Sequence, residues 1–237
     1  GRWPKTAFLT RVATNMADAG KKILLFTTEM TAHQMVSRIM PYKASVDAWR
    51  FRKLRLEWIH HKAVSDVCAT MHDKYEMWIC DLPRPSLAEI NTAITRVKPD
   101  VIVIDYLQRI AKPRAENVTR SVDELMASIK TMCIQHRVVG FLGCQMNRIV
   151  DREKGMPRLS DLRDGGSIEA ESDQVLLLHT EPTTERDGVI QITGLLEKNR
   201  HGQTGTIQFV LERNLIEFTE AHGTDGARPQ GSNQGGA

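Results

Sequence analysis

Five residues in this chain have side chains suited to handling phosphate, metal or water, and each stands at the edge of an apolar run. Lys5 and Thr6 open a run with helical spacing in GRWPKTAFLTRV, at residues 1–12. Glu29 follows KILLFTT, Asp105 follows VIVI, and Gln145 follows VVGFLGC. A lysine ammonium offsets charge on the outer phosphates of a nucleoside triphosphate, and a neighbouring hydroxyl ligates Mg2+. An acid at a strand end holds that Mg2+ through water, a second acid polarises an attacking water, and an amide senses the γ-phosphate. On this reading Gly1, Lys5, Thr6 and Asp105 bind ATP and its Mg2+, with Thr6 and Asp105 serving the metal. Glu29 and Gln145 serve the reaction. Each residue has a plain alternative: Lys-Thr is common at helix starts, and an acid after a strand is often the N-cap of the next helix. The weight falls on their joint order along the chain.

Several elements must bring those positions together. The spacing of Phe8, Leu9, Val12, Ala13 and Met16 predicts a first helix that Gly20 ends. Residues 22–28 read as a short buried strand, and a helix from about Thr31 is closed by Pro41. Residues 42–75 read as polar and helical, with a basic stretch RFRKLR at 50–55 taken as a solvated helix face. MWICD at 77–81 is a strand, and Leu87, Ile90, Ile94 and Val97 mark a helix. VIVID at 101–105 is the clearest strand, a charged loop covers 112–119, a helix covers about 121–136, and VVGFLGCQ at 138–145 is a strand. After that, strands dominate: QVLLLH, VIQITGLLEK, TIQFVLE and LIEFTE. The expectation is an α/β fold, a mostly parallel sheet flanked by helices with antiparallel hairpins toward the C-terminus. Ligands of such sheets bind at the carboxyl ends of the strands.

Bulk composition narrows the class. The chain has 237 residues, 41% hydrophobic and 26% charged, enough for one core or two small ones. A net charge of +3 does not by itself imply nucleic acid. Cys68, Cys80, Cys133 and Cys144 form no C-x-x-C pair, which predicts free thiols in a reducing compartment. His60, His61 and His136 lack metal-ligand spacing with them. No apolar run reaches the roughly 18–20 residues of a membrane span and no signal peptide is visible, so a cytoplasmic protein is expected. Residues 1–220 read as one domain and 221–237 as a disordered tail of Gly, Pro and polar residues.

The stretches GR…KTAFLTRVA, FTTEMTAHQMVSRI, VIVIDYLQRI, LGCQMNR, LSDLRDGGSIEAESDQVLLLH and EKNRHGQTGTIQFV together resemble the C-terminal motor domain of DnaB-type replicative helicases. The resemblance runs in the family's order over roughly residues 1–218. It implies a RecA-like P-loop NTPase fold and a homo-hexameric ring that translocates on single-stranded DNA, driven by ATP hydrolysis. Primase and a helicase loader are further partners it implies; a membrane is not. It matches Lys5 and Thr6 to the phosphate loop, Glu29 to the catalytic glutamate, Asp105 to the Mg2+-associated acid and Gln145 to the sensor. Lys198 and Arg200 match a pair that a neighbouring subunit inserts toward the γ-phosphate. A planar cation there offsets developing charge; read alone, EKNRHG is an ordinary basic hairpin turn. DLRDGGSIE matches a channel-lining loop in which Arg163 reaches a phosphate, Asp164 orients Arg163, and Gly166 offers its N–H. Such contacts carry no base information. The plain reading of that loop is a surface turn.

GRWPKT is a phosphate loop two residues short. Such loops aim successive backbone N–H groups at phosphate, and Pro4, standing where a glycine donor is expected, has none. The expected explanation is a piece of a longer, active helicase that lacks the first strand and an N-terminal domain. The alternatives are a weak nucleotide binder, or a RecA-fold subunit that binds single-stranded DNA or a partner without ATP turnover. A related ring ATPase such as a recombinase is a third reading, against which DLRDGGSIE speaks.

Overall fold

A computed structural model describes residues 4–111, 118–146, 156–162, 165–180, 185–186 and 188–221. Four strands, β1 (Ile23–Thr27), β2 (Met77–Asp81), β3 (Val101–Asp105) and β4 (Val139–Leu142), form a parallel sheet in the order β2-β1-β3-β4. The two central strands, ILLFT and VIVID, are buried at every position. That explains their unbroken apolar character, since a parallel strand is covered on both faces.

Side chains alternate between those faces. Leu24, Phe26, Ile102 and Ile104 pack with Ile90 and Ile94 of α5 (Leu87–Val97) and with Val122, Leu125 and Ile129 of α6 (Val118–His136). Ile23, Leu25, Val101 and Val103 pack on the other side with Leu9 and Ala13 of α1 (Pro4–Asp18) and with Met35 and Ile39 of α2 (Ala32–Lys43). Helix α2 starts on a capping box between Thr31 and Gln34. It runs through Pro41 instead of ending there. A proline in the last turn forfeits only one terminal hydrogen bond, and Ala44 and Val46 cap the carbonyls of Met40 and Pro41.

Two further helices, α3 (Ala48–Arg52) and α4 (Trp58–Lys74), lie between α2 and β2. Arg50 pairs with Glu57 and Arg55 lies over the Trp49 ring, on an exposed surface.

Strands β5 (Gln174–His179), β7 (Val189–Asn199), β8 (Gly205–Glu212) and β9 (Glu217–Glu220) form an antiparallel sheet, with β6 (Glu185–Arg186) paired to β7. Helix α1 ties the two sheets together. Its Ala7 and Phe8 pack with Ile192, Leu211 and Phe218, while its Leu9 and Ala13 face the parallel sheet. Phe8 meets Phe209 and Phe218 edge-on at 5.7 and 5.2 Å between centroids.

Among the described residues, no helix is long and apolar enough to cross a membrane, and no group of His, Cys, Asp and Glu could hold a metal ion by itself.

Candidate active site

Register levels the strand ends. Thr27 lies opposite both Asp105 and Asp81, and Leu142 lies opposite Ile104. Residues just beyond β1, β3 and β4 therefore emerge at one end of the sheet. The N-terminus of α1 meets them there. Thr6 donates its hydroxyl to Asp105 Oδ2 at 2.7 Å, and Lys5 Nζ lies 3.4 Å from Asp105 Oδ1. Asp105 is only 7% exposed, and its Oδ1 accepts no hydrogen bond among the described residues. A buried carboxylate oxygen facing a cation with acceptor capacity left over is suited to a hydrated metal ion. Pro4 is the first residue of α1, where a missing N–H costs the helix nothing.

The strand ends are laced together by main chain. Thr28 N–H and its hydroxyl both donate to Asp105 O at 2.9 Å, and Tyr106 N–H donates to Thr28 Oγ1 at 3.1 Å. Glu29 is thus carried to the end of β3. Its Oε1 accepts from the Tyr106 hydroxyl at 3.2 Å and lies 3.4 Å from an Arg109 nitrogen. Lys5 Nζ sits 4.0 Å from the centroid of the Tyr106 ring, a cation–π contact. Hydrogen bonds to Tyr106, then to Glu29, raise the Arg109 pKa above its ordinary value.

Gly143 occupies the crowded centre. A methyl group there would stand 2.9 Å from Leu9 Cδ1 and 3.2 Å from both Asp105 Oδ1 and Lys5 Cδ. Its N–H donates to Ile104 O and its carbonyl accepts from Leu107 N–H. Strand β4 ends at Leu142, so Gln145 lies three residues past it. Its backbone N–H donates to Gln108 Oε1 at 3.1 Å. Burial pushes the Cys144 thiol up to about 12, against the pull of Lys5; such a thiol stays protonated and is no nucleophile. Half-buried Arg38, on α2, has its pKa lowered by burial and partly restored by Asp105.

Lys198 and Arg200 stand elsewhere, at the β7 end beside the start of β5. Lys198 Nζ donates to Glu169 O of α7 (Gly165–Glu171), and Arg200 donates to Asp173 Oδ1 at 3.0 Å. Lys130 donates to both Asp173 oxygens at 2.8 Å. Gly1, Arg163 and Asp164 lie outside the described residues, as do most of the charged loop at 112–119 and the tail from 222. Gly166 is exposed in the first turn of α7. The Gly165-Gly166 pair is therefore helical and not an open loop, which a glycine tolerates at a cost of roughly 1 kcal/mol.

Lys5, Thr6, Glu29 and Asp105 thus come together, with the backbone of Gln145 beside them. Tyr106, Gln108 and Arg109 were not singled out from sequence, although all three stand in VIVIDYLQRI. Their position directly after a strand-end acid was the available signal.

Residues 2–220 match the model of the family described as the DnaB-like helicase C terminal domain. A probable replicative DNA helicase of Trieres chinensis is 30% identical over 90% of this chain and 50% of its own length. The replicative DNA helicase DnaB of Geobacillus stearothermophilus is 28% identical over 96% of this chain and 53% of its own. The chain thus spans about half the length of these relatives. Among solved structures, one ATPase domain superposes with a TM-score of 0.82 at 23% identity, over 91% of this chain and 80% of that one. A DnaB-like replicative helicase, solved in a study of its interactions with primase, gives the same score and identity over 54% of its chain.

Proposed function

Since the chain belongs to the DnaB-like helicase C terminal domain family, we propose that it is the motor domain of a replicative helicase, coupling ATP hydrolysis to movement on single-stranded DNA and to duplex unwinding. One observation carries this reading. A lysine and a threonine at a helix start meet an aspartate at a buried strand end, within 3.4 and 2.7 Å, and a glutamate from the adjacent strand is bonded to the next residue.

In this proposal Lys5 offsets charge on the outer phosphates of ATP. Thr6 and Asp105 hold Mg2+; that Asp105 Oδ1 accepts no hydrogen bond among the described residues supports the assignment, and the metal supplies charge neutralisation when bound. Glu29 takes a proton from the attacking water. Gln145, anchored through its backbone to Gln108, reads the γ-phosphate. Lys198 and Arg200 act on the nucleotide of a neighbouring protomer in a homo-hexamer, which makes turnover depend on assembly. Arg163, Asp164 and Gly166 contact the DNA backbone, so binding is sequence-tolerant and weakens with salt. Primase and a loader complete the partners, and the protein works in the cytoplasm.

The test is phosphate release with single-stranded DNA present. Glu29→Gln is expected to lower turnover by about 10²–10⁴-fold while leaving ATP affinity nearly unchanged. Unaltered turnover in that variant removes Glu29 from the mechanism. DNA binding that ignores nucleotide, with no phosphate release from the wild type, selects the non-hydrolysing subunit instead.

A further inference from the structure

Two donors converge on one oxygen of Glu29, and both come from the short turn that follows β3. The Tyr106 hydroxyl stands 3.2 Å and an Arg109 nitrogen 3.4 Å from Oε1. Among the described residues no hydrogen bond falls on Oε2. The turn has little freedom. Tyr106 N–H is fixed to Thr28 Oγ1, Leu107 is fully buried and bonded to Gly143 O, and Ala111 N–H donates to Pro85 O. Three different connections therefore hold the donors, while Thr28 N–H on Asp105 O holds the segment that carries Glu29.

Tyr106 also touches the phosphate side of the site, because the Lys5 ammonium rests 4.0 Å from its ring centroid. One side chain thus spans from the proposed phosphate-binding cation to the proposed base. The ion pair with Arg109 is half-exposed on both sides, at 52% and 39%. Pairs of that kind add little to folding stability, so stability alone gives Arg109 no reason to be placed there. A carboxylate that gives one oxygen to fixed donors has its other oxygen oriented for accepting a proton. Separations somewhat longer than ideal are ordinary before a substrate closes the site.

Resting on the reading of Glu29 as the base, we propose that Tyr106 and Arg109 are positioning residues that aim the Glu29 carboxylate, with Oε1 clamped and Oε2 left to accept the proton of the attacking water. Neither touches the reacting atoms. Their effect passes through Glu29, so it belongs to kcat and not to nucleotide affinity.

The experiment compares Tyr106→Phe, Arg109→Ala, Arg109→Lys and Glu29→Gln for ATP turnover, KM, thermal midpoint and the carboxyl carbon resonance of Glu29. Tyr106→Phe keeps the ring under Lys5 and removes only the hydroxyl. Tyr106→Phe and Arg109→Ala are each expected to lower kcat about tenfold, with KM within about twofold and little change in thermal midpoint. Arg109→Lys recovers most of the loss because a cation again reaches the carboxylate. The Glu29 resonance moves in Arg109→Ala, a readout that needs no turnover. Wild-type kcat in both Tyr106→Phe and Arg109→Ala, beside an inactive Glu29→Gln, overturns the positioning role and leaves the base in place. Full turnover in Glu29→Gln overturns the base and this inference with it. An unmoved Glu29 resonance, or a kcat loss matched by a lowered thermal midpoint, also overturns it.

Discussion

The strand-end cluster and the cluster around Asp173 are both made of basic residues facing an acid, and they differ in what remains unused. Asp105 is buried, holds Thr6 and Lys5, and keeps one oxygen without a hydrogen bond among the described residues. Asp173 is half-exposed and has both oxygens engaged by Lys130, with Arg200 added to one of them. Lys198 likewise rests on a main-chain carbonyl. Buried capacity left over is costly to a fold unless something uses it, whereas satisfied exposed pairs are cheap to make and cheap to exchange. The first cluster therefore offers buried acceptor capacity to a ligand. The second is made of exposed pairs that are already satisfied.

Arg200→Ala is the strongest way to break that contrast. If Arg200 works on a neighbour's nucleotide, its loss lowers turnover by about 10³-fold in the assembled protein, as loss of an arginine finger does. Mixing the variant into wild-type protein should then depress turnover out of proportion to its share. Inhibition that merely tracks the mixing ratio, measured by phosphate release, would count against the between-subunit role. Gly143→Ala probes the other cluster. The added methyl meets Leu9, Asp105 and Lys5 within 3.2 Å, so overpacking should cost about 1–3 kcal/mol in chemical denaturation and lower nucleotide affinity as well. Unaltered stability and affinity together would mean the strand-end cluster is looser than its contacts imply.

The smallest effect belongs to Asp173. Hydrogen bonding from Lys130, reinforced by the charges of Lys130 and Arg200, holds its carboxyl below the ordinary carboxylate range. A lowered folded-state value means its contribution is present above that range and fades as pH falls through the lowered value. Asp173→Asn should therefore be less stable than wild type near neutral pH by under about 1 kcal/mol. The gap should close in denaturation curves as pH falls below the ordinary carboxylate range. A gap that persists in acid would show that the asparagine disrupts packing and not charge.

How much was legible follows from the kind of signal each element carries. The bounds of β2, β3, β5 and α5 agree with the sequence reading because apolar runs and helical spacing are local properties. Pro41 misled because a proline signals a helix end only statistically, and the terminal turn tolerates it. In DLRDGGSIE, read as a loop, Gly165 and Gly166 are helical, since permissive backbone does not forbid a helix. Within the site, Lys5, Thr6, Glu29 and Asp105 were readable from their places beside apolar runs. The clamp on Glu29 was not, because it depends on how one turn after β3 is pinned by Thr28 just past β1, Gly143 just past β4, and Pro85 before α5.

Residue order alone determined which side chains stand at strand and helix ends, because hydrophobic periodicity is written along the chain and needs no partner. Which of those ends meet, and which oxygen is left unsatisfied when they do, was decided only in three dimensions. Strand register set the level of Asp105 against Thr27, and α1 brought Lys5 and Thr6 across from nearly 100 residues away in sequence, as the 99-residue separation of the Thr6–Asp105 bond records. Contacts of that separation are chosen by packing of the whole core, which no local pattern encodes.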